Sequence, residues 1–233
     1  MLSKKTQSLH TLPLEIFYRI LDHLNVETIV LSCRNTCSRF NTIIDTYHRY
    51  RVRFSLYDFT CSALNFGCKD INDKKTQHIA NTIQHHEALS ELLLQNNSIG
   101  SLGAYYMANA LEHNKTITTI TLNNNLIGDQ GTQHLANALR HNKTLTTLHL
   151  NSNDIGNQGL YHLTNALQHN NTLLSLSLHH NCIGPQGVQY LADALKYNNT
   201  LTLLNLSCNK VGDHGAQYLA SALEYNNVRY NSQ

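Results

Sequence analysis

Leu89-Ser90-Glu91-Leu92-Leu93-Leu94-Gln95-Asn96-Asn97-Ser98-Ile99-Gly100 sets a frame, Leu-x-x-Leu-x-Leu-x-x-Asn-x-Ile-Gly, that returns every 28 residues at Ile117, Leu145, Leu173 and Leu201. A fixed period of this length makes the chain a stacked solenoid. Its function then belongs on an extended surface rather than in an enclosed pocket.

Each unit has a second half. Gly131-Thr132-Gln133-His134-Leu135-Ala136-Asn137-Ala138-Leu139 aligns with Gly103–Leu111, Gly159–Leu167, Gly187–Leu195 and Gly215–Leu223. Its apolar positions are three or four apart, the spacing of a helix with one buried face, whereas the Leu-x-Leu half alternates as a short strand does. Strand then helix in every unit predicts an α/β fold with an inner parallel sheet and outer helices.

Working backward, Leu64-Asn65-Phe66 fits the strand and Ile71-Asn72 fits Ile-Gly, with Lys69 in place of the asparagine and Lys75 in place of the helix glycine. A terminal unit departs from the consensus because only one side is covered. The frame therefore predicts about six units over 51–233, beginning near Cys61, Leu89, Ile117, Leu145, Leu173 and Leu201.

Asn97, Asn125, Asn153, Asn181 and Asn209 hold one turn position. An amide there both donates to and accepts from backbone that would otherwise be buried unpaired, so these residues read as a structural ladder. Gly100, Gly128, Gly156, Gly184 and Gly212 are expected to permit a tight turn. Gly103, Gly131, Gly159, Gly187 and Gly215 are expected to let each helix approach the sheet. No lysine follows these glycines in a nucleotide-binding pattern.

This pattern resembles the leucine-rich repeat of ribonuclease-inhibitor type, similar to the repeats of NLR-type proteins. The resemblance implies a horseshoe that presents its concave sheet to a protein partner.

The first 50 residues are organised differently. Leu12-Pro13-Leu14-Glu15-Ile16 starts a helical run continued by Ile20, Leu21 and Leu24, with Pro13 tolerated in the first turn. Ile29, Val30, Cys33 and Cys37 line a second helical face, Phe40, Ile43, Ile44 and Tyr47 a third, and Val52–Phe54 is read as a joining strand. Leu12–Ile16, Ile20-Leu21-Asp22-His23-Leu24 and Cys33-Arg34-Asn35-Thr36-Cys37-Ser38-Arg39-Phe40 resemble successive parts of an F-box, a three-helix segment. In that family the box binds the Skp1 adaptor of a cullin-RING ubiquitin ligase and the repeats recruit a substrate. The resemblance implies an adaptor-binding set of Leu12, Pro13, Leu14, Ile16, Ile20 and Leu24; the alternative role of these residues, Pro13 excepted, is the box's small hydrophobic core.

Residues 1–55 hold eight Lys/Arg against four Asp/Glu, and the remainder nine against eleven. Neither balance resembles a nucleic-acid surface. No apolar run is long enough for a transmembrane helix and no secretory segment follows Met1, so no membrane association and a location in the cytoplasm or nucleus are expected. The six cysteines do not recur with the repeat and read as reduced thiols. His113, His141 and His169 share a position at the helix end, where an imidazole favours the helix dipole; no ligand set recurs with them, and no metal or cofactor is expected. No nucleophile stands in a fixed relation to His149 or His179, so the chain reads as a non-enzyme.

Alternation along the strands places Glu91, Leu93 and Gln95; Thr119, Thr121 and Asn123; Thr147, His149 and Asn151; Ser175, Ser177 and His179; and Leu203, Asn205 and Ser207 on the presented face. His149 and His179 stand out as partner-binding residues. Beyond Leu223 no polar capping helix follows, which suggests a truncated end or an edge used in self-association. Two functions are carried forward: a noncatalytic substrate receptor of a ubiquitin ligase, and a free-standing interaction scaffold whose N-terminal helices only cap the solenoid. A GTPase-activating role is disfavoured, because Arg140 occupies a recurring helix-end position shared with Glu112, Gln168 and Lys196.

Overall fold

The computed structural model of the chain describes residues 62–224 and the strand Arg229–Asn231. All of these lie in the second of two compact units, 59–233. Strands and helices alternate: β1 (Ala63–Asn65), α1 (Asp73–Ile83), β2 (Glu91–Leu93), α2 (Ser101–His113), β3 (Thr119–Thr121), α3 (Gly128–His141), β4 (Thr147–His149), α4 (Asn157–Leu167), β5 (Ser175–Ser177), α5 (Pro185–Leu195), β6 (Leu203–Asn205), α6 (Gly212–Leu223) and β7 (Arg229–Asn231). The strands form one parallel sheet in sequence order. The expected three N-terminal helices, the adaptor-facing set on them and the joining strand lie outside the described residues.

Register explains why the frame works. Leu92, Ile120, Leu148, Leu176 and Leu204, the middle residues of β2 to β6, pair across the sheet. They point into the core with the leucines that flank each strand, and all of them are 2% exposed or less. Ile79, Met107, Leu135, Leu163, Leu191 and Leu219 meet them from the helices. Each such side chain contributes about 1.5–3 kcal/mol by leaving water. Strands pack about 4.8 Å apart and helices about 8–10 Å apart, so a stack of such units bends with its sheet on the inside.

Three hydrogen-bonded ladders tie the units together. In the first, Asn125 Nδ2 donates to Leu94 O (3.0 Å) and Leu122 O (2.9 Å) while its Oδ1 accepts from Ile99 N (3.0 Å); Asn97, Asn181 and Asn209 repeat the arrangement, and Asn153 differs in donating to Asn151 O beside Leu122 O. This is the anticipated structural ladder. The second was not anticipated. Asn114, Asn142, Asn170 and Asn198, buried just after the helices, each donate at 2.7 Å to a carbonyl 31 residues earlier and accept from two N–H groups of their own loop. In the third, the hydroxyls of Ser90, Thr118, Thr146 and Thr202 donate to carbonyls of the preceding unit. Leu174 interrupts that column and is 44% exposed.

The glycines behave differently from expectation. Only Gly128 and Gly212 are left-handed, at φ +59° and +63°; Gly100, Gly156 and Gly184 are extended and cap their helices. The preceding unit supplies the reason. Asp73, Asp129 and Asn157 each accept, through Oδ1, the N–H of the extended glycine and of the glycine three residues on. Ser101 and Pro185 stand at the equivalent position before Gly128 and Gly212 and make no such bond, and there the helix starts from a left-handed glycine instead. The tight turn after each strand falls on Cys68, Asn96, Asn124, Ser152, His180 and Cys208, all left-handed and none a glycine. The second glycine series serves the approach of a helix to its neighbour's start: a Cβ on Gly103 would lie 2.6 Å from Asp73 Oδ1 and 2.7 Å from Ile99 Cγ2.

Beyond α6 the sheet gains a seventh strand that the frame does not predict. Arg229–Asn231 pairs with Leu203–Asn205 at an offset of 26 residues, so it escapes a 28-residue search. The free N–H and C=O groups of β6 offer a template that does not require the leucine frame.

Candidate protein-binding surface

The parallel register lines up the presented residues in rows. Glu91, Thr119, Thr147, Ser175 and Leu203 form the first, and Leu93, Thr121, His149, Ser177 and Asn205 the second. Gln95, Asn123, Asn151, His179 and Ser207 continue the same alternation just past the strand ends. Most are half-buried; Ser177 is 7% exposed and Leu203 45%.

Hydrogen bonding divides these residues into two groups. Asn123 Oδ1 accepts from Asn151 N (2.8 Å), and Asn151 Oδ1 accepts from Ser177 Oγ (2.6 Å) and His179 N (2.9 Å). His179 Nδ1 lies 2.7 Å from Ser207 Oγ, which itself donates to Asn205 Oδ1 at 2.7 Å. The hydroxyl has one proton and gives it to Asn205, so His179 Nδ1 must carry the hydrogen that completes the chain. Asn123, Asn151, Ser177, His179 and Asn205 are thus engaged with one another. By contrast, the side chains of Glu91, Thr119, Thr121, Thr147, His149 and Ser175 make no hydrogen bond among the described residues, and neither does that of Gln95, whose Oε1 is buried and unpartnered. Burial holds the His149 imidazole below its ordinary pKa, because the charged form loses hydration on the sheet. The two histidines singled out by sequence are therefore unlike: His149 presents its ring nitrogens, and His179 uses Nδ1 internally.

Elsewhere, Ser152, Asp154, His180, Asn181, Cys182, Cys208, Asn209 and Lys210 line a groove of about 400 Å³ at the sheet's C-terminal edge. Cys68, Cys182 and Cys208 are free and exposed. No group of three or more His, Cys, Asp or Glu side chains among the described residues is placed to hold a metal ion. No helix among them is long and apolar enough to cross a membrane.

Comparison with known families completes the geometry. Residues 9–52 match the F-box domain, and residues 141–163, 169–192 and 197–220 match the leucine-rich repeat. The chain carries an F-box domain followed by leucine-rich repeats. No curated protein matches this F-box and repeat chain. Similar solved structures include the actin-binding site 2 of leiomodin-1, 22% identical over 78% of this chain and 90% of that one, with a TM-score of 0.47. Another is the tropomodulin C-terminal domain of Caenorhabditis elegans, 15% identical over 75% of this chain and 92% of that one, with a TM-score of 0.49.

The architecture, an F-box with a repeat domain, is that of a non-catalytic interaction protein. Sequence reasoning missed the asparagines at 114, 142, 170 and 198, although they too recur every 28 residues; the eye falls on the histidines beside them.

Proposed function

We propose that the chain is a noncatalytic substrate receptor of a cullin-RING ubiquitin ligase in the cytoplasm or nucleus. Its F-box helices dock on a Skp1-like adaptor through Leu12, Pro13, Leu14, Ile16, Ile20 and Leu24, and its repeat sheet holds a protein substrate. Ubiquitin transfer falls to partner subunits; this chain supplies position and specificity. The observation that carries the reading is the F-box at 9–52 placed ahead of an interaction solenoid.

On the sheet, the open group supports the substrate contact. Thr119, Thr121, Thr147, His149 and Ser175 lie on three adjacent strands and retain unused donors and acceptors. Hydrogen bonds to a partner there cost no internal bond, whereas engaging Asn151 or His179 would break the existing chain.

Co-purification of the full chain with a panel of Skp1-like adaptors tests the first contact. Complex formation should be lost on Leu14→Arg or Ile16→Arg. Adaptor binding that is absent from wild type, or indifferent to these changes, would leave the free-standing scaffold as the better description. For the second contact, proteins captured by wild type should be lost with Thr147→Arg and His149→Ala.

A further inference from the structure

We infer that the helix-to-strand edge of the repeats is a second docking surface, fitted to an acidic, carboxylate-rich segment of a partner protein. All three Lys and Arg residues of the stretch 89–172, namely Lys115, Arg140 and Lys143, lie on this edge, in or beside the loops that leave α2 and α3. His113, His141 and His169 join them, and all six side chains are exposed. The opposite edge of the same stretch, where strands end and helices begin, carries Asp129 and Asp154 and no basic residue. The central units are thus polarised across the solenoid.

The loops are rigid presenters. Asn114, Asn142 and Asn170 clamp each loop to the unit before it, so the flanking positions 113 and 115, 141 and 143, and 169 project at a fixed register. Within the molecule, Lys115 Nζ donates to Glu112 O (3.2 Å) and His113 Nδ1 lies 3.0 Å from Asn109 O. The side chains of Arg140, His141, Lys143 and His169 have no hydrogen-bonding or ionic partner among the described residues. The helix dipole accounts for Arg140 and His141 in the last turn of α3, but its influence ends with that turn and does not account for Lys115 and Lys143 beyond the helix ends. Glu112, in the last turn of α2, is the carboxylate beside these loops; Glu87 lies one unit away in the register of Lys115, and Asp193 is already paired to Lys196 at 2.8 Å.

The spacing also fits. Successive loops are separated by between the strand and helix spacings, about 5–10 Å, and alternate side chains of an extended peptide lie about 6.6 Å apart. Alternate carboxylates of an extended segment running across the units therefore meet Lys115 on one loop and the Arg140–Lys143 pair on the next. This surface is distinct from the sheet face proposed for the substrate.

The test is fluorescence anisotropy with the full chain and a labelled 12-residue peptide of alternating Glu and Ser, against an alternating Gln and Ser peptide, in low salt. The acidic peptide should bind more tightly, and added salt should weaken it. Lys115→Glu/Arg140→Glu/Lys143→Glu should lower its affinity about tenfold or more, and the milder Arg140→Gln/Lys143→Gln should lower it in the same direction. A control triple, Lys69→Glu/Lys74→Glu/Lys210→Glu, makes the same change in net charge away from this edge and should cost less than about threefold. Equal losses in the two triples, no loss in either, or no preference for the acidic peptide would overturn the inference.

Discussion

The carboxylate of Asp129 reaches out of its own helix to cap the next: Oδ1 accepts the N–H of Gly156 at 2.7 Å and of Gly159 at 2.9 Å. A helix start leaves such donors without intrahelical partners, and here the partner comes from the neighbouring unit. Asp129→Ala should therefore destabilise the α4 end by about 1–2 kcal/mol, the usual worth of an N-cap. Asp129→Asn should be nearly neutral, since Asn157 makes the same pair of bonds to Gly184 and Gly187. Amide hydrogen exchange at Gly156 and Gly159 reads this directly: protection should fall in the alanine variant and persist in the asparagine one. Equal protection in both would refute the clamp.

The ladder asparagines are unequal. Asn153 is wholly buried and satisfies Leu122 O and Asn151 O, whereas Asn209 is half-buried toward the last units. Removing an amide from a closed interior strands its partners without water, at a cost of about 3 kcal/mol for Asn153→Ala. Water reaches the Asn209 site, and Asn209→Ala should cost about 1 kcal/mol. Urea denaturation monitored by circular dichroism separates the two; the reverse order would contradict the burial argument.

What the sequence reveals of this molecule depends on what recurs. Leu92 and its counterparts repeat at 28, and so the strands, helices and core are legible from spacing alone. The cap from Asp73 to Gly100 is a contact between units, and its absence after Ser101 and Pro185 is visible only once both sides are in place. β7 is hidden because its offset breaks the period. On the sheet, the presented positions follow from alternation alone, but the difference between His149 and His179 rests on Asn151 and Ser207, neighbours that no single strand reveals. The adaptor-facing residues come from resemblance and the F-box match, with no geometry behind them in the described part of the chain.

His86 stands where later units have Asn114, Asn142 and Asn170. Its Nδ1 accepts from Leu89 N at 3.0 Å and lies 3.3 Å from Ala88 N, reproducing the two bonds that Asn114 Oδ1 accepts from Ile117 and Thr116. An accepting Nδ1 carries no hydrogen, so the ring should be the Nε2–H tautomer. Long-range nitrogen–proton correlation spectra should show that tautomer. In denaturation, His86→Asn should cost clearly less than His86→Leu, which buries two loop donors without an acceptor. An Nδ1–H ring, or an indifferent response to the two substitutions, would disprove the mimicry.

His149 makes the fold sensitive to acid. Burial lowers its pKa from the ordinary 6.5, and the side chains beside it on the sheet, Thr121 on β3, Ser177 on β5, Thr147 on its own strand and Asn151 just beyond that strand, do not ionise and supply no counter-charge. The unfolded chain therefore binds a proton at this imidazole more readily than the folded one. Stability must rise with pH across the interval between the folded and unfolded values, and is lost as pH falls below 6.5 toward the lowered one. Replacing the ring by an amide that cannot titrate removes this contribution, so His149→Gln should show a shallower decline in unfolding free energy from about pH 7 to about pH 5 than wild type. Chemical denaturation at several pH values measures both slopes. Parallel slopes would mean that the imidazole on the sheet is as well solvated folded as unfolded, and the open row around His149 would lose its distinguishing property.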